Sequence, residues 1–204
     1  MNRNNPKSDM NKISDLFFFR FKHVCPRWLC FTFDNVFRKL LQDPYKILQP
    51  YIKEGDTVLD VGPGIGYFTI PMAKLVGDNG RVIAVDIQQK MLAAIKKRAK
   101  RANVLQRIEL QLVSSDSLGV KTKLDFILAF WMVHEVPDKL RFLAELRSLL
   151  KDDGRFLLVE PKFHVTKRKF TVSVRLALKA GFALDDSPQI SLSKSALFGI
   201  QVLP

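Results

Sequence analysis

A chain of 204 residues has room for one domain with a sizeable core, and two independent domains would each be left with a marginal one. Hydrophobic residues make up 47% and charged residues 26%, which excludes extended disorder as the dominant state. The formal charge of +13 favours anionic partners, but charge alone does not choose among nucleic acid, an anionic membrane surface and an acidic small substrate.

Residues 1–15 are rich in Asn, Lys, Ser and Asp and are expected to form a mobile tail. Residues 16–50 turn aromatic and basic, with seven Phe between Phe17 and Phe37, and are expected to form an N-terminal helical extension. That extension is a candidate lid over an acceptor site; the alternatives are packing on the sheet and a membrane-interface patch. Arg20 and Lys22 break the apolar patch Leu16-Phe17-Phe18-Phe19 before a signal-peptide core is reached, and no run approaches membrane-spanning length. A cytoplasmic protein is expected, with peripheral membrane contact left open. Cys25 and Cys30 are the only cysteines, so there is no disulfide framework. Two thiols make an incomplete metal site; they are read as structural, and no metal is expected.

Pro44 and Pro50 bracket a short helix through Tyr45, Ile47 and Leu48. Residues 51–204 then alternate short apolar runs with helical patterns, the mark of a parallel α/β sheet. Strands are expected at 57–61, 81–86, 107–113, 124–130 and 154–160. Met91, Ile95 and Ala99 share one helix face, with the cations from Lys96 to Arg101 on the others. Leu140, Leu143, Leu146 and Leu150 mark a second helix over 138–150. A basic helix is expected from Lys167 to Gly181, followed by two strands around Pro188. The fold class is therefore α/β, doubly wound and mostly parallel.

The most informative stretch is Val58-Leu59-Asp60-Val61-Gly62-Pro63-Gly64-Ile65-Gly66-Tyr67-Phe68. An apolar strand ends at an acid, and glycines at alternate positions let the backbone turn tightly and a ligand approach its N–H groups. A dinucleotide fingerprint counted from Gly62 and Gly64 would need glycine where Tyr67 stands, and no Gly-Lys-Ser/Thr follows to make a phosphate loop. The second strand delivers Asp86, whose carboxylate can accept from two neighbouring hydroxyls.

Asp60 with Gly62-x-Gly64-x-Gly66 resembles motif I of the class I S-adenosylmethionine-dependent methyltransferases, and the likeness runs from about Ile52 to the C-terminus, closest to the small-molecule ubiquinone and menaquinone branch. The resemblance implies a Rossmann-like seven-stranded sheet and S-adenosylmethionine as cofactor. It further implies a loop of Gly62, Gly64 and Gly66 around the methionine part, Asp86 on the ribose hydroxyls and Ile87 against adenine. Asp116 is the candidate acceptor for the adenine amino group, its bland reading being a turn-former; Phe130, at the fourth strand's end, is counted with the cofactor residues.

His134 follows the fourth strand and is the candidate catalytic residue, as a general base for a weakly nucleophilic hydroxyl or carbon acid. Its other reading is that it positions the loop. Two features depart from the family: residues 118–123 replace the usual acid-rich helix between strands three and four, and the extension matches no assignable substrate domain. With that segment so short, nothing but the extension is expected to close over the cofactor loops. Methyl transfer to a small, apolar or aromatic acceptor is the leading function. RNA or protein as acceptor suits the charge, although the fourth strand leads into Phe130-Trp131-Met132-Val133-His134 rather than the Asn/Asp-Pro-Pro-aromatic loop of enzymes that methylate base amines. A non-catalytic methyltransferase-like binding module is the third reading.

Overall fold

The computed structural model describes residues 41–114 and 116–200. The expected tail, Cys25, Cys30 and the aromatic run from Phe17 to Phe37 lie outside the described residues. In chain order the elements are α1 (Pro44–Leu48), β1 (Thr57–Val61), α2 (Thr69–Leu75), β2 (Arg81–Asp86), α3 (Gln89–Arg101), β3 (Ile108–Leu112) and β4 (Leu124–Phe130). They continue with α4 (Lys139–Leu149), β5 (Leu150–Pro161), α5 (Lys167–Lys179), β6 (Phe182–Asp186) and β7 (Ser193–Ile200).

The seven strands form one sheet in the order β3-β2-β1-β4-β5-β7-β6. β1 to β5 are parallel to their neighbours, while β7 pairs antiparallel with both β5 and β6. Strand residues alternate between two cores, as a sheet covered on both faces requires. Val58, Ala84, Phe126 and Leu128 meet α1, α2 and α3 on one side. On the other, Leu59, Ile83, Ile127 and Ala129 meet α4 and α5.

Local chemistry sets the helix ends. Asp43 caps α1 by accepting from the Tyr45 N–H, ahead of Pro44 at a position that needs no donor. The Asp138 side chain accepts from the Arg141 N–H at α4, and Thr166 accepts from the Lys169 N–H at α5. Leu48 at the end of α1 is fully buried, so the described part of the extension packs into the main core.

The bounds of two expected strands, β3 and β5, shift at both ends. Arg107 sits in a 3₁₀ turn instead of β3, where its guanidinium reaches the Ala73 carbonyl and Asp78. β5 begins four residues before Gly154, because Leu150 pairs with Leu124 as soon as α4 ends and the register shifts between Leu124 and Phe126. Asp152 and Asp153 stay exposed in that irregular stretch, which gives them no apolar pattern to read.

The antiparallel edge is held by Phe156 on β5, Phe182 on β6 and Phe198 on β7, whose ring centroids lie 5.2–5.7 Å apart. All three side chains are almost wholly buried. Phe156→Ala is expected to cost about 3–5 kcal/mol in urea unfolding, the range for a buried phenylalanine that leaves a cavity. A cost below about 1 kcal/mol would mean that this cluster does not hold the edge.

Candidate active site

The strand order reverses direction between β1 and β4, so their connections leave to opposite faces and a cleft opens at the carboxyl edge. The cleft has a volume of about 1180 Å³ and is bordered by the ends of β1, β2, β4 and β5. It brings together all the site residues expected from the sequence except Gly66, from Asp60 and Gly62 to Phe130 and His134.

Gly62, Gly64 and Gly66 all have left-handed backbones, with φ of 65°, 56° and 87°. Their surroundings differ in an instructive way. A Cβ on Gly66 would press on Ile95 of α3 at 3.1 Å, whereas one on Gly64 would meet nothing within 4 Å. Gly66 therefore serves close helix packing, and Gly64 leaves open space where a ligand can approach the loop. The Gly62 N–H donates to the Val85 carbonyl at 3.0 Å, which ties the loop to the end of β2.

Asp60 is buried beneath the loop, and its Oδ2 accepts from the Thr69 hydroxyl at 2.6 Å, joining the end of β1 to the start of α2. Burial pushes its carboxyl up to about 7, against the Thr69 hydrogen bond, with repulsion from Asp86 adding to the rise. Asp86 is likewise pushed up by burial, to about 6, although the backbone N–H groups of Gln88, Ile87 and Gly64 favour its charged form. The Gln88 N–H lies 2.8 Å from Oδ1. Ile87 beside it is 48% exposed on the cleft wall, an apolar surface suited to a flat ring. Asp116 also faces the cleft, while its backbone N–H reaches Ser114 Oγ at 3.4 Å in a stretch closed by a Ser114–Ser117 bridge. Both readings of Asp116 thus have a structural counterpart.

Aromatic rings line a further part of the cleft. Phe130 packs on Phe68 with ring centroids 4.3 Å apart and on Trp131 at 5.5 Å. Trp131 has a left-handed backbone, φ 60°, unusual for a bulky residue. Its N–H donates to the Val159 carbonyl at 2.7 Å, and its indole N–H donates to Ser193 Oγ at 3.0 Å. These bonds over-determine the turn and aim the indole along the cleft, where it meets Phe163 edge-on at 5.5 Å. His134 sits in the next 3₁₀ turn, its Nδ1 2.7 Å from Oε2 of the buried Glu160.

Several of these residues were not singled out in the sequence. Thr69, Glu160, Phe163 and His164 had no motif to announce them, although Glu160, like Asp60 and Asp86, is an acid at the end of an apolar strand. The expectation that only the N-terminal extension could cover the cofactor loops is corrected: the β5–α5 loop and the first turns of α5, including Phe163, Arg168 and Val172, form one wall of the cleft. α5 follows the carboxyl end of β5 through a short loop, which sets its first turns beside the cleft. Among the described residues, no group of three or more His, Cys, Asp or Glu is placed to hold a metal ion. No helix among them is long and apolar enough to cross a membrane.

The raised Asp60 carboxyl has a consequence for stability. Its folded value of about 7 lies above the ordinary 3.8, so the group favours the folded state in acid, and that contribution is lost as pH rises through about 7. Asp60→Asn keeps an acceptor for Thr69 and removes the charge. The variant is expected to gain up to about 4 kcal/mol over the wild type between pH ~4 and pH ~8, measured by urea unfolding across that range. Parallel pH profiles for the two proteins would show that Asp60 does not titrate in this way.

Residues 52–186 match the family model described as a methyltransferase domain. The demethylmenaquinone methyltransferase of Lactobacillus johnsonii is 36% identical over 112 residues, 53% of this chain and 45% of that protein. The ribosomal protein L11 methyltransferase of Dictyoglomus thermophilum is 37% identical over 112 residues, 55% of this chain and 35% of that protein. The matched stretch thus spans less than half the length of either relative. Among solved structures, a SAM dependent methyltransferase from Aquifex aeolicus superposes with a TM-score of 0.78 at 23% identity, covering 87% of this chain and all of that one. The chain belongs to the methyltransferase domain family, within the class I S-adenosylmethionine-dependent methyltransferases.

Proposed function

We propose that the chain transfers a methyl group from S-adenosylmethionine to a small, apolar or aromatic acceptor. The observation that carries this reading is the shared cleft: one cavity is lined by Gly62 and Gly64 of the loop, by Asp86 and Ile87, and by Phe130, Trp131, Phe163 and His134. The loop, Asp86 and Ile87 fit the cofactor. Open space at Gly64 admits its methionine part, the Asp86 carboxylate suits a pair of ribose hydroxyls, and exposed Ile87 suits the adenine face. When bound, S-adenosylmethionine supplies a methyl group already activated by its sulfonium.

The protein then has to align donor and acceptor and keep water out, which needs no nucleophile of its own. Phe130, Trp131 and Phe163 offer flat apolar surface for an aromatic acceptor, and the fixed Trp131 turn holds that surface in place. This activity suits a reducing, cytoplasmic setting. RNA or protein as acceptor draws support from the +13 charge and from the name of the L11 methyltransferase relative. The apolar lining favours the small acceptor.

Two measurements test this function. Calorimetry is expected to detect S-adenosylmethionine and not NAD, and Asp86→Ala is expected to lose about 1.5–3 kcal/mol of cofactor affinity, the scale of hydrogen bonds to a charged group. Saturable NAD binding with no response to S-adenosylmethionine would overturn the cofactor assignment. Incubation of cell extracts with labelled methyl donor, with and without the protein, is expected to place label in the small-molecule fraction; label in RNA or protein would move the acceptor to that class.

A further inference from the structure

Glu160 is fully buried at the end of β5, yet among the described residues it binds no lysine or arginine. Its Oε2 is engaged by His134, and its Oε1 is buried with no hydrogen-bond partner among the described residues. A buried carboxylate held by a single histidine is costly unless that contact is retained for a purpose other than stability. His134 is 17% exposed in its side chain and borders the cleft beside Trp131 and Phe163.

We infer that Glu160 is a positioning residue that fixes His134 as the proton acceptor of this site, and that the methyl acceptor is a phenol or enol that must lose a proton. This rests on the methyltransferase reading above. An ionised carboxylate only accepts, so the 2.7 Å contact places the ring hydrogen on Nδ1 and leaves the lone pair on Nε2, the nitrogen on the opposite edge of the ring. The titratable groups facing His134 are Glu160 on β5, Glu135 in its own turn with Oε1 3.9 Å from Nε2, and His164 in the β5–α5 loop with ring centroids 4.9 Å apart.

The proton balance is simple. The acceptor oxygen, or the carbon conjugated with it, gains the methyl group as the sulfur–methyl bond breaks and the sulfonium charge is cancelled. The hydroxyl proton passes to Nε2, Nδ1–H continues to donate to Glu160, and the imidazolium later returns its extra proton to water. The negative charge of Glu160 offsets the positive charge that appears on the ring during transfer.

The test uses the full chain with ¹⁵N-labelled histidine and bound S-adenosylhomocysteine, in the wild type, Glu160→Gln and Glu160→Asp. Long-range ¹H–¹⁵N spectra of the neutral wild-type ring are expected to show hydrogen on Nδ1 and a bare Nε2. A hydrogen on Nε2 would overturn the inference, because no lone pair would face the acceptor. Added 4-nitrophenol is expected to move the Nε2 signal toward the protonated form in the wild type, to do so about tenfold more weakly in Glu160→Gln, and to recover in Glu160→Asp. An unmoved Nε2 signal at saturating probe, or equal responses in the wild type and Glu160→Gln, would reduce Glu160 to a structural role and sink the inference. Calorimetry with S-adenosylmethionine on the same proteins keeps the two claims apart. Intact cofactor binding with a failed histidine readout removes the base alone, whereas no binding in the wild type removes the methyltransferase function and the base with it.

Discussion

Burial of carboxylates at the carboxyl edge of the sheet is the constraint on which the rest of this structure depends. Asp60, Asp86 and Glu160 end three different strands, and all three are buried. An ionised carboxylate removed from water is expensive unless hydrogen bonds or opposite charge compensate. Each of the three has a different compensation. Asp60 takes the Thr69 hydroxyl, Asp86 takes backbone N–H groups from its own turn and from Gly64, and Glu160 takes the His134 ring. These contacts tie β1 to α2, the glycine loop to β2, and the β4 turn to β5, so the polar groups that the fold must satisfy are also the ones that shape the cleft.

The parallel arrangement explains why the acids lie there. Every parallel strand from β1 to β5 delivers its last residues to one edge, and the reversal of strand order between β1 and β4 keeps that edge from being covered by a crossing connection. Apolar strand interiors pack the two cores, and the buried acids gather where the strands run out. Phe130 and Trp131 follow the same logic at the end of β4. The turn after Phe130 carries the left-handed Trp131 backbone, and its strain is held by hydrogen bonds to β5 and, beyond it, to β7.

The cleft is divided by chemistry as well as by position. One part of it carries glycines, backbone donors and carboxylates, and another carries the rings of Phe130, Trp131 and Phe163 beside His134 and His164. Such a division suits a reaction in which the donor is already activated and the rate comes from alignment and exclusion of water. The entry of the described chain is built into the same region. Gln42 donates to the Ser191 carbonyl and to Ser193 Oγ, the latter also taking the Trp131 indole, and the Tyr67 hydroxyl donates to the Gln42 carbonyl. Gln42 therefore joins the fold beside the Trp131 turn.

Local periodicity and turn chemistry were enough to determine the bounds of β1, β2 and β4, the helix of Met91, Ile95 and Ala99, and the glycine loop with its two strand-end acids. Each of these is a short-range pattern: alternation for a buried strand, three- and four-residue steps for a helix face, glycine where φ is positive. The failure of the dinucleotide spacing at Tyr67 and the acid at Asp86 were legible for the same reason. What only the tertiary structure decided involves residues far apart in sequence. The 26 positions between His134 and Glu160 collapse to a 2.7 Å contact because β4 and β5 are neighbours in the sheet. Thr69 completes Asp60 because α2 starts directly over the end of β1. Buried polar pairs and cleft walls depend on which elements become neighbours, and that choice is made by packing two hydrophobic faces of one sheet, a global condition that no local window of residues contains.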